Sequence, residues 1–161
     1  MTVIAYDLNT LVADGRVTLG DDIVTDKQNK LREIQHPKYG KMVAAFCGAL
    51  MLVDPWAEHI QEHGFTKFTF TEDDEEKQIF DAQAILVDTK GQAFELLTNG
   101  LWNRVDTPIA FGSGRFIAQH FLKSGHTAVK AVRETIKTNT GCGGQLTCWN
   151  WRTGLYTTLA R

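Results

Sequence analysis

The sequence predicts an α+β fold made of antiparallel sheets and a few helices. Segments with strand character come first and are followed by one helix, more strands, two helices and a final strand pair. Short turns join neighbouring strand segments, as in antiparallel hairpins, and the chain has neither an internal repeat nor a linker. This order suits two packed antiparallel sheets with helices on their outer faces. At 161 residues, the chain is predicted to form a single domain, 1–161.

The first half of the chain is predicted to contain strand pairs and one helix. The predicted strands are 3–8, 11–13, 31–34 and 42–47. Residues 14–20 are expected to continue the second strand into a turn. The helix is predicted to have Asp54 as its N-cap and Pro55 in its first turn, and to end at Gly64. A helix that starts near Gly48 and bends at Pro55 is the alternative.

The second half is predicted to contain hairpins and a helix pair. The predicted strands are 66–71, 84–88, 93–97, 109–111, 145–151 and 155–159. Apolar residues at helical spacing predict helices at about 115–123 and 127–137. The acidic run 72–76 is expected to be a solvated loop, and the turn residues Lys90 and Gly91 predict a hairpin.

Composition excludes several classes of protein. Hydrophobic residues make up 43% of the chain and charged residues 22%, as in an ordinary globular domain. A net charge of −2 argues against binding to nucleic acid or to an anionic membrane. The apolar run 43–53 is too short to span a bilayer, and no targeting segment is evident. An odd number of cysteines without C-x-x-C spacing favours a reduced, cytoplasmic protein.

Thr2 follows Met1 at the head of the apolar run Val3-Ile4-Ala5-Tyr6. Removal of Met1 would leave one residue with both a hydroxyl nucleophile and a free α-amine. Such an amine, with an unperturbed pKa of about 8, can act as the general base for the hydroxyl. Thr2 is therefore a candidate catalytic nucleophile.

Four downstream features resemble proteasome β-subunits and the bacterial protease HslV. The tract Ala13-Asp14-Gly15-Arg16-Val17-Thr18 is similar to their second strand, and Lys30 follows Asp14 by sixteen residues, as in that family. Ala44-Ala45-Phe46-Cys47-Gly48 is similar to their Ala-Gly-Phe-Ala-Gly stretch, and Gly112-Ser113-Gly114 to their Gly-Ser-Gly. The resemblance spans nearly the whole chain and is closest to small bacteriophage-encoded subunits, which share the Met-Thr-x-Ile-Ala-Tyr-Asp opening.

The resemblance implies a four-layer αββα sandwich of the N-terminal-nucleophile (Ntn) hydrolase type, with threonine peptidase activity. Lys30, oriented by Asp14, would lower the pKa of the Thr2 amine and hydroxyl. The Ala45 amide would bind the oxyanion, and Ser113 would position the Thr2 amine or a proton-carrying water. It also implies a polypeptide substrate, a homo-oligomeric ring or stacked rings, and room for an unfoldase ATPase partner. No cofactor, metal, nucleic acid or membrane is expected.

Two supporting positions depart from the family pattern. Where the family has Asp-x-x-Ser-Gly-Gly, this chain has Asn139-Thr140-Gly141-Cys142-Gly143-Gly144. Asn139 carries no negative charge, and Cys142 is a weaker hydrogen-bond partner than serine. Two alternatives to a peptidase therefore stay open. One is an inactive assembly or interaction protein, and the other is an amidohydrolase that acts on a small amide through the same Thr2 mechanism.

Overall fold

The computed structural model describes residues 1–67, 82–97 and 100–161. Within these residues it contains twelve strands, one short 3-10 helix and three α-helices. The strands are β1 Val3–Tyr6, β2 Thr10–Asp14, β3 Val17–Leu19, β4 Asp22–Thr25, β5 Leu31–His36, β6 Gly40–Gly48, β7 Ala82–Asp88, β8 Ala93–Leu96, β9 Trp102–Val105, β10 Ile109–Gly112, β11 Leu146–Asn150 and β12 Leu155–Leu159. The 3-10 helix is Leu50–Leu52, and the α-helices are α1 Val53–His63, α2 Arg115–Lys123 and α3 Ala128–Thr138.

The first sheet brings together segments that are far apart in the sequence. Its strand order is β10-β1-β2-β11-β12, and every pairing is antiparallel. The register places Val3 opposite Gly112 and Leu146 opposite Asp14. The N-terminus, the carboxylate at the end of β2 and the loop after β10 therefore meet at one end of this sheet.

The second sheet has the strand order β5-β6-β7-β8-β9 and is also antiparallel. Strand β6, the second in this order, is nine residues long and pairs with β5 on one side and β7 on the other. Strands β3 and β4 form a separate two-stranded hairpin. Leu31, which follows Lys30, pairs with Ala45.

Three clusters of buried apolar side chains hold these elements together. One lies between the first sheet and helices α2 and α3, and includes Val12 and Val132. A second lies between the two sheets, and includes Ile4 and Ile85. The third lies between the second sheet and α1, and includes Trp56. The described residues thus form a mixed α+β fold of antiparallel sheets and helices, as the sequence predicts.

Helix α2 has the predicted bounds, and α3 begins after Thr127, whose side chain accepts a hydrogen bond from the Lys130 N–H. Helix α1 begins at Val53, not at Asp54, because the 3-10 turn leads directly into it. Asp54 therefore does not cap the helix but forms an ion pair with Arg32.

Other local predictions differ or lie outside the description. Residues 17–25 form the β3–β4 hairpin where a simple turn is expected, and β9 is an additional strand. Most of the predicted strand 66–71 and the whole acidic run 72–76 fall outside the described residues.

Candidate active site

The side chains of Thr2, Asp14 and Lys30 meet in direct contact. The Lys30 Nζ donates a hydrogen bond to Thr2 Oγ1 at 2.8 Å and another to Asp14 Oδ1 at 2.8 Å. Asp14 is fully buried and Lys30 is 8% exposed. A lysine that is ion-paired and shielded from water presents a fixed positive charge to the threonine hydroxyl.

Asp14 also accepts hydrogen bonds from two backbone N–H groups next to this contact. Its Oδ1 accepts a hydrogen bond from the Val3 N–H at 3.0 Å, and its Oδ2 accepts one from the Gly143 N–H at 2.9 Å. Together with Lys30, these donors satisfy a carboxylate that would otherwise be costly to bury. Asp14 therefore fixes the position of the residue after Thr2 as well as that of the lysine.

Ser113 lies against the backbone of Thr2. Its Oγ accepts a hydrogen bond from the Thr2 nitrogen at 3.2 Å and lies 3.3 Å from the Thr2 carbonyl oxygen, to which it donates. The Gly114 N–H also donates to that carbonyl, at 3.4 Å. The structure thus places Ser113, a residue of the predicted site, within hydrogen-bond distance of the Thr2 nitrogen.

Glycine is required beside Ser113 because the chains approach very closely. Gly112 has φ +94°, and a Cβ there would lie 2.1 Å from the Thr2 carbonyl oxygen. A Cβ at Gly114 would lie 2.4 Å from Thr135 Cγ2. Side chains at either position would push the serine loop away from Thr2.

Cys142 and Asn139 support Ser113 from the loop after α3. The Cys142 Sγ lies 3.6 Å from Ser113 Oγ, and burial raises the pKa of this thiol. The Asn139 Nδ2 donates to the Ser113 carbonyl at 3.4 Å, while its Oδ1 accepts from the Gly141 N–H at 3.1 Å. Both residues hold the loop through neutral contacts, so neither adds charge to the site.

Arg16 braces the same loop without touching Thr2 through a hydrogen bond. Its guanidinium bonds both carboxylate oxygens of Asp26, at 2.7 and 3.0 Å, and donates to the Thr140 carbonyl at 2.7 Å. The hydrogen bond from Arg16 lowers the pKa of Asp26. A Cβ at Gly143 would lie 2.6 Å from Arg16 Cζ, so the glycine lets the loop pack on the guanidinium. Asp26 is a partner that the sequence motifs do not indicate.

The structure does not bring Ala45, the predicted oxyanion donor, to Thr2. Ala45 is fully buried in the middle of β6, where it pairs with Leu31 and with Ile85. The end of the same strand, at Gly48, lines both cavities that contain Thr2 and has φ +106°. Small residues recur between 44 and 49 and allow more than one alignment with the family's stretch, so the sequence does not fix the position of the oxyanion donor. Gly48 and the following residue are the better candidates.

An apolar cavity of about 400 Å³ lies on one side of Thr2. Thr2 and Lys30 form its floor, and the β3–β4 hairpin, the end of β6 and the start of α1 form its walls. Its apolar wall residues are Val17, Leu19, Val24, Phe46, Leu50 and Val53. Leu19 and Val24 are 77% and 63% exposed, so apolar surface is open to a ligand here.

A second cavity, which we call the polar cleft, lies on the other side of Thr2 and is also about 400 Å³. It is lined by Met1, Thr2, Cys47, Gly48, Gln83, Gly112, Ser113 and Arg115. Thr2 and Gly48 border both cavities, so a chain that crosses from one to the other passes over the threonine hydroxyl. Gln83 and Arg115 could not be predicted as cleft residues from the sequence, because neither belongs to a motif that indicates a catalytic or binding role.

Met1 occupies part of this crossing. Its amino group donates to Thr18 Oγ1 at 2.9 Å, and its side chain packs on Gly141, where a Cβ would lie 1.9 Å from Met1 Cε. Met1 also lines both cavities. While Met1 is attached, the Thr2 nitrogen is an amide and has no lone pair available to take a proton.

No family model matches the chain, and no curated protein matches it. Two solved structures of Anbu do match. The Gly-1 mutant of Anbu from Hyphomicrobium sp. strain MC1 has a TM-score of 0.74 at 15% identity and covers 99% of this chain and 87% of its own. Anbu (ancestral beta-subunit) from Yersinia bercovieri has a TM-score of 0.70 at 14% identity and covers 100% and 88%. At such identities the likeness establishes a shared proteasome-like fold.

These comparisons correct the family placement drawn from the sequence. The resemblance to HslV and to bacteriophage-encoded subunits is not supported by any family model, and the two solved structures named above are Anbu proteins. The physical reason is that the matched motifs are short. Asp14, Lys30 and the glycines around Ser113 are set by the contacts around Thr2, so they indicate the site and cannot distinguish one branch of the fold from another.

Among residues 1–67, 82–97 and 100–161, no helix is long and apolar enough to cross a membrane. Within the same ranges, no group of three or more His, Cys, Asp or Glu side chains is placed to hold a metal ion.

Proposed function

We propose that this chain is a threonine peptidase whose nucleophile is Thr2 Oγ1, freed for catalysis when Met1 is removed. The observation that carries the proposal is the pair of 2.8 Å contacts from the buried Lys30 Nζ, one to Thr2 Oγ1 and one to Asp14 Oδ1. A lone surface threonine has no such partner. The likeness in fold to Anbu supports the proposal at the coarser level of a proteasome-like protein.

The first step forms a tetrahedral intermediate on Thr2 Oγ1. The free Thr2 amine takes the hydroxyl proton, and Oγ1 attacks the carbonyl carbon of the substrate amide. The Lys30 ammonium lies next to Oγ1 and favours its deprotonated form. Backbone N–H groups at Gly48 and Ala49 bind the oxyanion, a contribution of about 3 kcal/mol in such sites.

The second step releases the product. The protonated amine gives its proton to the leaving nitrogen, the C–N bond breaks, and the acyl group stays on Oγ1. Water then attacks the ester carbon, the amine again accepts the proton, and Oγ1 is protonated as the acid product leaves. The net reaction is amide plus water to carboxylic acid plus amine. Ser113 holds the Thr2 nitrogen through both steps.

The apolar cavity favours peptide bonds that follow a large apolar residue. Five aliphatic side chains and Phe46 form its walls, and Lys30, the charged group at its floor, is already paired with Asp14. Burial of a leucine-sized side chain there is worth about 2 kcal/mol. A leucine-containing peptide is therefore the substrate of choice for testing.

The test is peptide hydrolysis by protein whose intact mass shows the loss of Met1. Thr2→Ala should abolish hydrolysis of a leucine-containing peptide and leave the fold unchanged, because the substitution removes only the hydroxyl and a methyl group. A matched control is Thr18→Ala, which removes a neighbouring hydroxyl that accepts a hydrogen bond from the Met1 amino group, a group that is absent once Met1 is removed. Undiminished activity of Thr2→Ala would disprove the proposed nucleophile.

A non-catalytic assembly or interaction protein is the second candidate function. The observation that favours it is the loop beside Ser113, where Asn139 and Cys142, both neutral, contact that serine. Retention of Met1 in protein purified from its native cells would decide for this candidate.

A small-amide hydrolase differs from a peptidase only in turning over small amides in preference to peptides.

We further propose an architecture, an assembly and a cellular location for the whole chain. Residues 1–161 form one domain with a four-layer αββα arrangement, supported by the three apolar clusters between successive layers. The chain assembles into a homo-oligomeric, self-compartmentalising ring or stacked rings, and an unfoldase ATPase supplies its polypeptide substrate. We place it in the cytoplasm, where its three cysteines stay reduced.

A further inference from the structure

Arg115 is a charged side chain in the polar cleft that the proposed catalytic steps do not use. It is the first residue of α2 and lines the cleft together with Thr2 and Ser113. Its guanidinium lies 4.3 Å from the ring centroid of Phe116 and donates weakly to the Gly112 carbonyl at 3.5 Å. Stacking on an aromatic ring restrains the guanidinium and leaves its charge uncompensated.

Charge in the two cavities is unequal. In the described part of the chain, no carboxylate lies within ion-pair distance of Arg115, whereas Arg16 pairs with Asp26 and Lys30 with Asp14. None of the residues that line the polar cleft is acidic. The cleft thus presents an uncompensated cation to whatever enters it, while the apolar cavity does not.

The polar cleft is the side from which the leaving group departs. In the proposed mechanism, the Thr2 amine delivers a proton to the leaving nitrogen, so that nitrogen must lie next to the amine. The Thr2 nitrogen is 3.2 Å from Ser113 Oγ, and Ser113 lines the polar cleft but not the apolar cavity. The acyl half of the substrate therefore occupies the apolar cavity and the amine half the polar cleft.

We infer that Arg115 selects substrates whose leaving half carries a carboxylate, either the α-carboxylate of a departing amino acid or an acidic side chain. This inference rests on the proposed function, because that function decides which half enters which cavity. A guanidinium and a carboxylate form a charge-assisted, two-pronged hydrogen bond, which is geometrically selective. Arg115 is thus a specificity-determining residue and takes no part in the bond changes.

The first experiment measures binding and needs no activity. Full-length Thr2→Ala protein is produced behind a cleavable leader, so that residue 2 becomes the first residue. Three peptides are titrated at low salt: acetyl-Leu-Leu-Leu-Gly, its C-terminal amide, and acetyl-Leu-Leu-Leu-Asp amide. The free acid should bind about tenfold more tightly than its amide. If the aspartate peptide also gains affinity, an acidic side chain suffices; if it does not, the terminal carboxylate is required.

Arg115→Gln in the same protein should remove the difference between acid and amide, while Arg104→Gln, at an exposed site on β9, should preserve it. An equal preference in the presence and absence of Arg115, or no preference at all, overturns the inference. Turnover by the Thr2 protein separates the two proposals. If binding depends on the carboxylate but no hydrolysis occurs, the proposed peptidase activity is refuted and the proposed role of Arg115 stands. Hydrolysis with the same kcat/KM for acid and amide refutes the role of Arg115 alone.

Discussion

At the scale of single residues, the site depends on a buried ion pair that serves a surface-accessible hydroxyl. Asp14 and Lys30 lose their hydration on folding, and their attraction alone seldom repays that cost. The backbone N–H groups of Val3 and Gly143 supply further bonds to Asp14, and Thr2 supplies an acceptor for Lys30. The pair is therefore better explained by its effect on Thr2 than by a contribution to stability.

Replacing Lys30 should harm both stability and activity. Lys30→Met keeps the aliphatic stem but leaves the Asp14 carboxylate buried without a cation, so the free energy of unfolding should fall by about 3–5 kcal/mol. Hydrolysis should fall by several orders of magnitude. Urea denaturation followed by circular dichroism measures the first effect, and peptide turnover the second.

Lys41→Met is the matched control for this prediction. Lys41 forms an ion pair with Glu33 at 2.7 Å, but both side chains are largely exposed, at 42% and 53%. Loss of such a surface pair should cost less than about 1 kcal/mol. Equal effects of the two lysine substitutions would mean that burial of the Lys30 pair does not matter.

At the scale of elements, the loop between β10 and α2 positions Ser113 through its two glycines. Gly112→Ala should lower the free energy of unfolding and strongly reduce activity, because a Cβ would lie 2.1 Å from the Thr2 carbonyl. Gly125→Ala is the control: that residue has φ +82° with open space around it, so only the backbone cost of about 1 kcal/mol applies. Thermal unfolding and turnover compare the two. A Gly112→Ala protein as stable as Gly125→Ala would show that the close approach at Gly112 is not required.

His36, the last residue of β5, should make the free energy of unfolding depend on pH. Its Nδ1 accepts hydrogen bonds from the Lys38 and Tyr39 N–H groups, so the ring is neutral with its proton on Nε2. Burial, followed by the charge of Lys38, lowers the pKa of His36. In the acidic range the unfolded chain binds the proton more readily than the folded chain. The contribution of His36 is therefore present above its unfolded pKa and is lost as the pH falls below about 6.5.

His36→Asn tests this prediction, because an asparagine Oδ1 can accept the same two N–H groups without titrating. The wild type should lose stability between about pH 7.5 and pH 5.5, and the variant should lose less over that range. His120→Asn, at an exposed position of α2, is the control and should behave as the wild type does. Identical pH profiles for wild type and His36→Asn would exclude His36 as the cause.

The same elements show what the sequence could predict. Strand and helix patterns are local, so α2, α3 and most strands agree with prediction. Thr2, Asp14, Lys30 and Ser113 could be grouped because motif spacing reports contacts that the fold must make. The oxyanion position could not be fixed, since the small residues 44–49 allow more than one register. Arg115 and Asp26 were missed because their roles arise from contacts across strands and loops that no local pattern encodes.

At the scale of the whole molecule, two large aromatic side chains are internal, and the exposed apolar side chains lie elsewhere. Trp56 and Trp149 are 2% and 1% exposed and belong to the internal clusters, so they are not available for subunit contacts. Exposed apolar side chains include those on the β3–β4 hairpin, at the start of α2 and on β12. The hairpin borders the apolar cavity, and Phe116 of α2 is stacked with Arg115 beside the polar cleft. The edge strand β12 is therefore the candidate that we choose for a contact between copies of the chain.

Strand β12 forms one edge of the first sheet, and its Leu155 and Tyr156 are 65% and 43% exposed. An edge strand with free backbone groups and apolar side chains tends to pair with another chain. We therefore expect the protein to have a mass well above 18.0 kDa by light scattering at micromolar concentration. Leu155→Glu should shift it towards the monomer, because a carboxylate would be buried in the contact, while Thr153→Glu in the adjacent turn should not. An unchanged mass for Leu155→Glu would remove β12 from the interface, and a monomeric wild type would remove the proposed ring.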